Sequence, residues 1–295
     1  MNQVTDQQII EILRKEAVPA LGCTEPVACA LACAKCKEVL GGVPERLDVL
    51  VSGNIYKNGM GVGIPGTGMV GLPIAAALGA VCGKSEYGLE VLKEVNVGDN
   101  LQRAKDMLDQ VTVSLKEDAP DKLYAEALAT KGNDTVKVVI AHTHTNIVLV
   151  EKNGEEIFKR EFRLDTSKPE DKGPELSVKR IWDFVHEVDV KDIEFVLQGA
   201  EMNKAISAEG LNSEYGLQIG KTLKENIDKG LLEDDLLNRT LIRATAASDA
   251  RMDGCPKPVM TNSGSGNQGI TVYLPVVVAA EKFGASREQL ARALA

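Results

Sequence analysis

Apolar residues recur along this chain at two periods, and the change from one to the other divides it. Residues 6–17, DQQIIEILRKEA, follow a capping box at Thr5–Gln8 with helical spacing, and Pro19 ends that helix. A second helix opens at Thr24-Glu25-Pro26, where proline suits the first turn, and closes at Gly41-Gly42. From Leu47 the period shortens to two or gives way to β-branched runs. LDVLVSG, VTVSL, LYAEALA, DTVKVVIAH and NIVLVE therefore predict strands. Asn153-Gly154 predicts a tight turn that pairs NIVLVE with EEIFKREF. Helical segments around Leu72–Val81 and Asn100–Gln110 interrupt the strands.

The polar, turn-rich stretch 166–174 predicts a linker. Beyond it the spacing predicts helices at 176–188, 192–208, 215–228, 234–247 and 270–280. An amphipathic helix at 286–295 ends the chain with neither cap nor polar tail behind it, so a fragment of a longer protein is expected. The fold class is α+β: a discontinuous, mostly helical domain (1–45 and 168–295) interrupted by an α/β subdomain (46–167).

With 295 residues, 44% of them hydrophobic, the chain can bury a substantial core in two structural units. A net charge of −9 without a lysine or arginine cluster argues against nucleic acid and anionic membrane as partners. Five Phe, five Tyr and one Trp leave no stacking platform for single strands. The N-terminus lacks the apolar core of a signal peptide and no apolar run is long enough to cross a bilayer, so a cytoplasmic protein is expected. Six cysteines in a reducing compartment are thiols or metal ligands rather than disulfides.

The densest chemistry lies in residues 253–269, DGCPKPVMTNSGSGNQG. Gly264, Gly266 and Gly269 suggest an anion-binding nest opening onto a helix N-terminus. Pro256 and Pro258 keep Cys255 out of any helix, which suits a metal ligand; a buried loop cysteine is the plainer alternative. Cys23 precedes a helix N-terminus, where the dipole and unpaired N–H groups favour a thiolate, although Glu25 partly offsets that field. Cys29, Cys33 and Cys36 match the C-x3-C-x2-C spacing of radical S-adenosylmethionine enzymes but fall on an alanine-rich helix, which predicts close packing instead. Gly61-Val-Gly-Ile-Pro-Gly66 fits G-x-G-x-x-G too far from a strand, and Pro65 removes an N–H, so a dinucleotide site carries little weight and a glycine-rich loop lining a shared pocket stays open. His142 and His144 sit two apart at a strand end: a zinc pair, polar strand-end residues, or, with Thr145 and Asn146, contacts to a substrate carboxylate. Cys82 has no motif around it and is expected in the core.

Three stretches, Ala20-Leu-Gly-Cys-Thr-Glu-Pro-Val-Ala28, residues 52–67 (SGNIYKNGMGVGIPGT) and Met252-Asp-Gly-Cys-Pro through Gly269, resemble the L-cysteine desulfidase family, related to the alpha subunit of iron-sulfur L-serine dehydratases. The resemblance implies α,β-elimination of L-cysteine to hydrogen sulfide, ammonia and pyruvate. It implies a 4Fe-4S cluster held by three cysteines with one iron open, a Lewis acid for the leaving sulfide. It matches Cys23 to the catalytic thiol and Cys255 to a cluster ligand, with the other ligands expected beyond residue 295 and this chain alone expected to be inactive. Thr24, Glu25, His144, Asn262, Ser263, Gly264, Ser265, Gly266 and Asn267 are the substrate-binding candidates. A small amino acid is the expected partner, with a homodimer left open. L-serine is the alternative substrate. A pyridoxal-phosphate eliminase, from the Ser263-Gly-Ser-Gly-Asn267 loop, and a non-catalytic amino-acid-binding module are the competing readings.

Overall fold

The structure, a computed structural model, describes residues 4–160 and 176–295. Its contacts divide the chain into two units: Ala20–Leu164 with Arg251–Lys257, and Met1–Pro19 with Asp165–Ala250 and Pro258–Ala295. Helix and sheet are mixed, as an α+β fold requires. The expected linker at 166–174 lies outside the described residues, as does the expected strand beyond Arg160.

The first unit is built on a six-stranded sheet of β1 (Arg46–Val51), β2 (Val111–Leu115), β3 (Tyr124–Lys131), β4 (Asp134–Ala141), β5 (Ile147–Lys152) and β6 (Glu155–Lys159) in the order β2-β1-β3-β4-β5-β6. All neighbours are antiparallel except β1 and β2, which pair in parallel with Leu47 opposite Val111 and Val51 opposite Leu115. A parallel pair needs a crossover. Residues 52–110 supply it with α3 (Gly53–Gly59), α4 (Leu72–Val81) and α5 (Asn100–Asp106). The β5–β6 hairpin turns at Asn153-Gly154 with positive φ at both residues, as the dipeptide predicts.

Helix α2 (Thr24–Leu40) packs on β3, β4 and α4 within this unit, so the unit begins at Ala20, whereas the sequence pattern places 20–45 with the helical domain. The reason is its surface. Val27 through Ala34 and Cys36 are all buried, and a helix apolar on every side belongs inside a core. Small residues let it lie close: Ala125, Ala127 and Ala129 of β3 are fully buried, and a Cβ on Gly79 of α4 would lie 2.1 Å from the Ala30 carbonyl oxygen.

The second unit contains α1 (Asp6–Glu16), α6 (Val178–Glu187), α7 (Val190–Ile193), α8 (Val196–Asn212), α9 (Ile219–Asp228), most of α10 (Leu236–Met252), α11 (Gly266–Phe283) and α12 (Arg287–Leu294). Phe184 packs with Ile9, Ile10 and Ile193, and Val196, Leu197, Met260, Tyr273 and Val277 form a second cluster. Capping boxes start α1 at Thr5 and α12 at Ser286. Among the described residues no helix is long and apolar enough to cross a membrane.

Candidate active site

Cys23 is the N-cap of α2, in extended conformation with φ −81° and ψ 141°. Its side chain does not cap the helix. Sγ instead donates to Glu25 Oε2 at 2.8 Å, and the same oxygen accepts from Thr24 Oγ1 at 3.3 Å. Asn58 Nδ2, from α3, donates to the other oxygen, Glu25 Oε1, at 3.3 Å. The Arg251 guanidinium, 3% exposed in the last turn of α10, donates from Nη2 to the carbonyl of Gly22 at 2.9 Å and so hangs from the residue before Cys23. All of these residues, with His144, belong to the sheet-containing unit.

Burial, reinforced by the Glu25 carboxylate, pushes the Cys23 thiol up to about 11, against the pull of Arg251. The expected thiolate is therefore corrected: the site holds Cys23 protonated, as a donor to Glu25. Burial works to raise Glu25, but hydrogen bonds from Cys23, its own backbone and Asn58, with the field of His144, keep it below the ordinary carboxylate value. His144 is held below the ordinary imidazole value by burial, helped by Arg251 and opposed by Glu25. At neutral pH the array is a neutral thiol, a carboxylate, a neutral imidazole and a guanidinium.

The glycine-rich stretch 61–68 is the seat of the segment that carries Cys255. A Cβ on Gly63 would lie 2.4 Å from the Asp253 carbonyl carbon, so only glycine permits this approach. Gly66 N–H donates to the Gly254 carbonyl at 3.2 Å, and Gly22 lies so close to Pro65 that a Cβ there would meet the ring at 2.7 Å. Cys255 is 1% exposed and non-helical, as its flanking prolines predict. Among the described residues no group of three or more His, Cys, Asp or Glu side chains is arranged to hold a metal ion.

The loop 261–269 belongs to the helical unit. Thr261 is fully buried, its hydroxyl donating to the Val18 carbonyl at 2.8 Å, so it anchors the loop. Asn262 and Ser265 exchange backbone hydrogen bonds at 3.1 and 3.0 Å around Ser263 and Gly264, both at positive φ. Part of the expected nest is thus a closed two-residue turn. Ser265 caps α11 by accepting from Gln268 N–H, Gly266 is the first residue of that helix, and Asn267 follows on its first turn. Gly269 packs on the Met260 carbonyl, where a Cβ would lie 1.9 Å away.

Cys29, Cys33 and Cys36 are fully buried on α2, and Cys36 donates to carbonyls of β3 and β4, which is the packing role their helix predicts. Cys82 is buried and donates to the Leu78 carbonyl. The two histidines do not make a pair. Strand β4 ends at Ala141, and His142 turns to φ 70° with its ring on Asp121, while His144 is the half-buried member of the Glu25 array. Asn146 serves its own turn, bonded to the Ala141 carbonyl and to Arg160. Sequence reasoning missed Arg251 and Asn58. A single arginine in ATAASDARMDGC, one turn before Cys255, is the signal for the first; Asn58 lies inside a quoted motif and carries none of its own.

Residues 86–295 match the serine dehydratase alpha chain family. A UPF0597 protein of Actinobacillus pleuropneumoniae serotype 3 is 50% identical over 98% of this chain and 67% of its own length. One from Dichelobacter nodosus is 48% identical over 99% and 68%, and one from Parabacteroides distasonis 46% identical over 100% and 69%. These alignments, which run over nearly all of this chain, do not establish the expected truncation. No solved structure matches the chain.

Proposed function

Because the chain belongs to the serine dehydratase alpha chain family, we propose that it carries the elimination chemistry of an iron-sulfur lyase acting on L-cysteine, releasing hydrogen sulfide, ammonia and pyruvate. The observation that supports this reading is the Cys23 thiol, buried at a helix start and flanked by a carboxylate, a neutral imidazole and a guanidinium. Perturbed titratable groups gathered in one place mark functional sites, and abstraction of a weakly acidic Cα–H proton needs a positioned base. Cys23 is the proposed base, with Thr24, Glu25 and His144 around the reacting end. Asn262 to Asn267 are proposed to hold the substrate carboxylate. The family description favours L-serine as the second reading.

The residues present do not make a 4Fe-4S site by themselves. A cluster with one open iron takes three thiolates, and here Cys255 is the single candidate ligand, without a surrounding donor group among the described residues. No step is therefore drawn through the cluster.

The test is anaerobic purification of the natural protein, iron and sulfide analysis, and assays of pyruvate and hydrogen sulfide from L-cysteine and L-serine. Cys23→Ala is expected to lower kcat/KM by about 10²–10⁴-fold with iron content unchanged. Cys255→Ala is expected to lower the iron content. An iron-loaded protein that releases pyruvate from neither amino acid ends the proposal.

A further inference from the structure

The thiol assigned as base is protonated in the site, so something must make its ionisation accessible. We propose that Arg251 is the positioning residue for Cys23: its buried guanidinium, hung from the Gly22 carbonyl, supplies the positive charge against which the thiol loses its proton. This inference rests on the lyase reading for the purpose of the thiolate, but not for its formation.

The geometry carries it. Arg251 is 3% exposed, and Nη2 reaches the residue immediately before Cys23 at 2.9 Å, so the guanidinium has little freedom to leave. Nη2 of its fork is fixed on the backbone at the α2 start. The charged and titratable groups that face Cys23 are Glu25, Arg251 and, through Glu25, His144. With His144 neutral, Arg251 is the cation of this set. Ionisation sends one proton to solvent and leaves a thiolate and a carboxylate beside one guanidinium. Without Arg251 the same step would leave a buried thiolate beside the half-buried Glu25 carboxylate, a charge arrangement that low-dielectric surroundings penalise. Arginine stays charged when buried, and an ammonium in its place would be held charged by the Glu25 carboxylate. The direction agrees with the opposing effects already described, in which Arg251 is the largest influence that lowers Cys23.

The experiment measures alkylation of Cys23 by iodoacetamide from pH 7 to 10, read by mass spectrometry of the Cys23 peptide, in the full chain and in Arg251→Met and Arg251→Lys. A neighbouring opposite charge shifts a pKa by about 1–3 units, so Arg251→Met is expected to slow Cys23 alkylation at least about tenfold at pH 8. Arg251→Lys, which keeps a cation, is expected to recover most of that rate. A merely structural role would loosen the site and speed alkylation in both variants. Cys23 alkylation in Arg251→Met as fast as in the parent, or faster, overturns the inference, and so does equal slowing in both variants. In the iron-loaded natural protein, Arg251→Met is expected to lower kcat in proportion while KM stays within about threefold. If the parent eliminates neither cysteine nor serine, the lyase reading fails while the alkylation comparison still decides the role of Arg251.

Discussion

At Cys23 two physical effects oppose each other, and their sizes decide the outcome. A helix N-terminus favours a negative charge by about 0.3–1 kcal/mol at exposed sites. Burial and the Glu25 carboxylate lift the thiol from 9.0 to about 11, and at about 1.4 kcal/mol per pKa unit that outweighs the dipole. Motif and spacing pointed to the residue. They could not give its protonation state, because burial is set by segments distant in sequence, among them the one bearing Arg251. A consequence follows for stability. The folded thiol binds its proton more tightly than the unfolded one, so its stabilising contribution is complete below pH 9 and is lost as pH rises toward 11. Urea unfolding at pH 7.5 and pH 10 is expected to show a smaller loss in Cys23→Ala than in the parent, by about 1–2 kcal/mol.

Among the elements, helices and strands with a clear period were legible almost to the residue: Leu72–Val81 is helical over that whole span, and the Asn153-Gly154 hairpin is present. What escaped was α3 and the seat made by residues 61–68, since a close approach of two backbones leaves only glycines in the sequence. The G-x-G-x-x-G letters form a contact surface for Asp253 and Gly254. Gly63→Ala should therefore be costly, by at least about 2 kcal/mol, because the added carbon meets backbone that cannot rotate away. Gly41→Ala, at φ 73° with nothing within 4 Å of the new carbon, is expected to cost about 1 kcal/mol from backbone strain alone. Paired thermal melts check the contrast, and equal losses would contradict the seat. On α2, replacing Cys29 or Cys33 by Ala is expected to leave iron content unchanged while lowering stability, since each thiol fills core space.

Across the molecule, the candidate reagents fall on two separately packed cores: thiol, carboxylate, imidazole and guanidinium on the sheet-containing unit, and the 262–267 loop on the helical one. Sequence pattern conveyed the alternation of helical and strand-rich stretches but misjudged which core α2 would join, because an alanine- and cysteine-rich helix has no polar face to orient it. This division separates two kinds of kinetic defect. Ser263→Ala, whose hydroxyl donates within its own turn to Asn262 at 2.8 Å, is expected to raise KM for the amino acid about tenfold with kcat little changed. Cys23→Ala should act on kcat. Steady-state kinetics on the natural protein would check both, and a Ser263→Ala defect confined to kcat would remove the loop from carboxylate binding.

In the six-stranded sheet the one parallel pairing, β1 with β2, requires residues 52–110 to be traversed before Leu47 can meet Val111, and the β1–β3 pairing of Arg46 with Thr130 spans still more chain, whereas β3 to β6 join chain neighbours. Contacts between positions that far apart close late and slowly, because the loop entropy is lost before any pairing compensates it. During refolding, amides of Arg46–Val51 and Val111–Leu115 should thus gain protection from hydrogen exchange after those of the β3–β4 hairpin, leaving an interval in which the nascent sheet still offers the edge of β3 to a neighbouring chain.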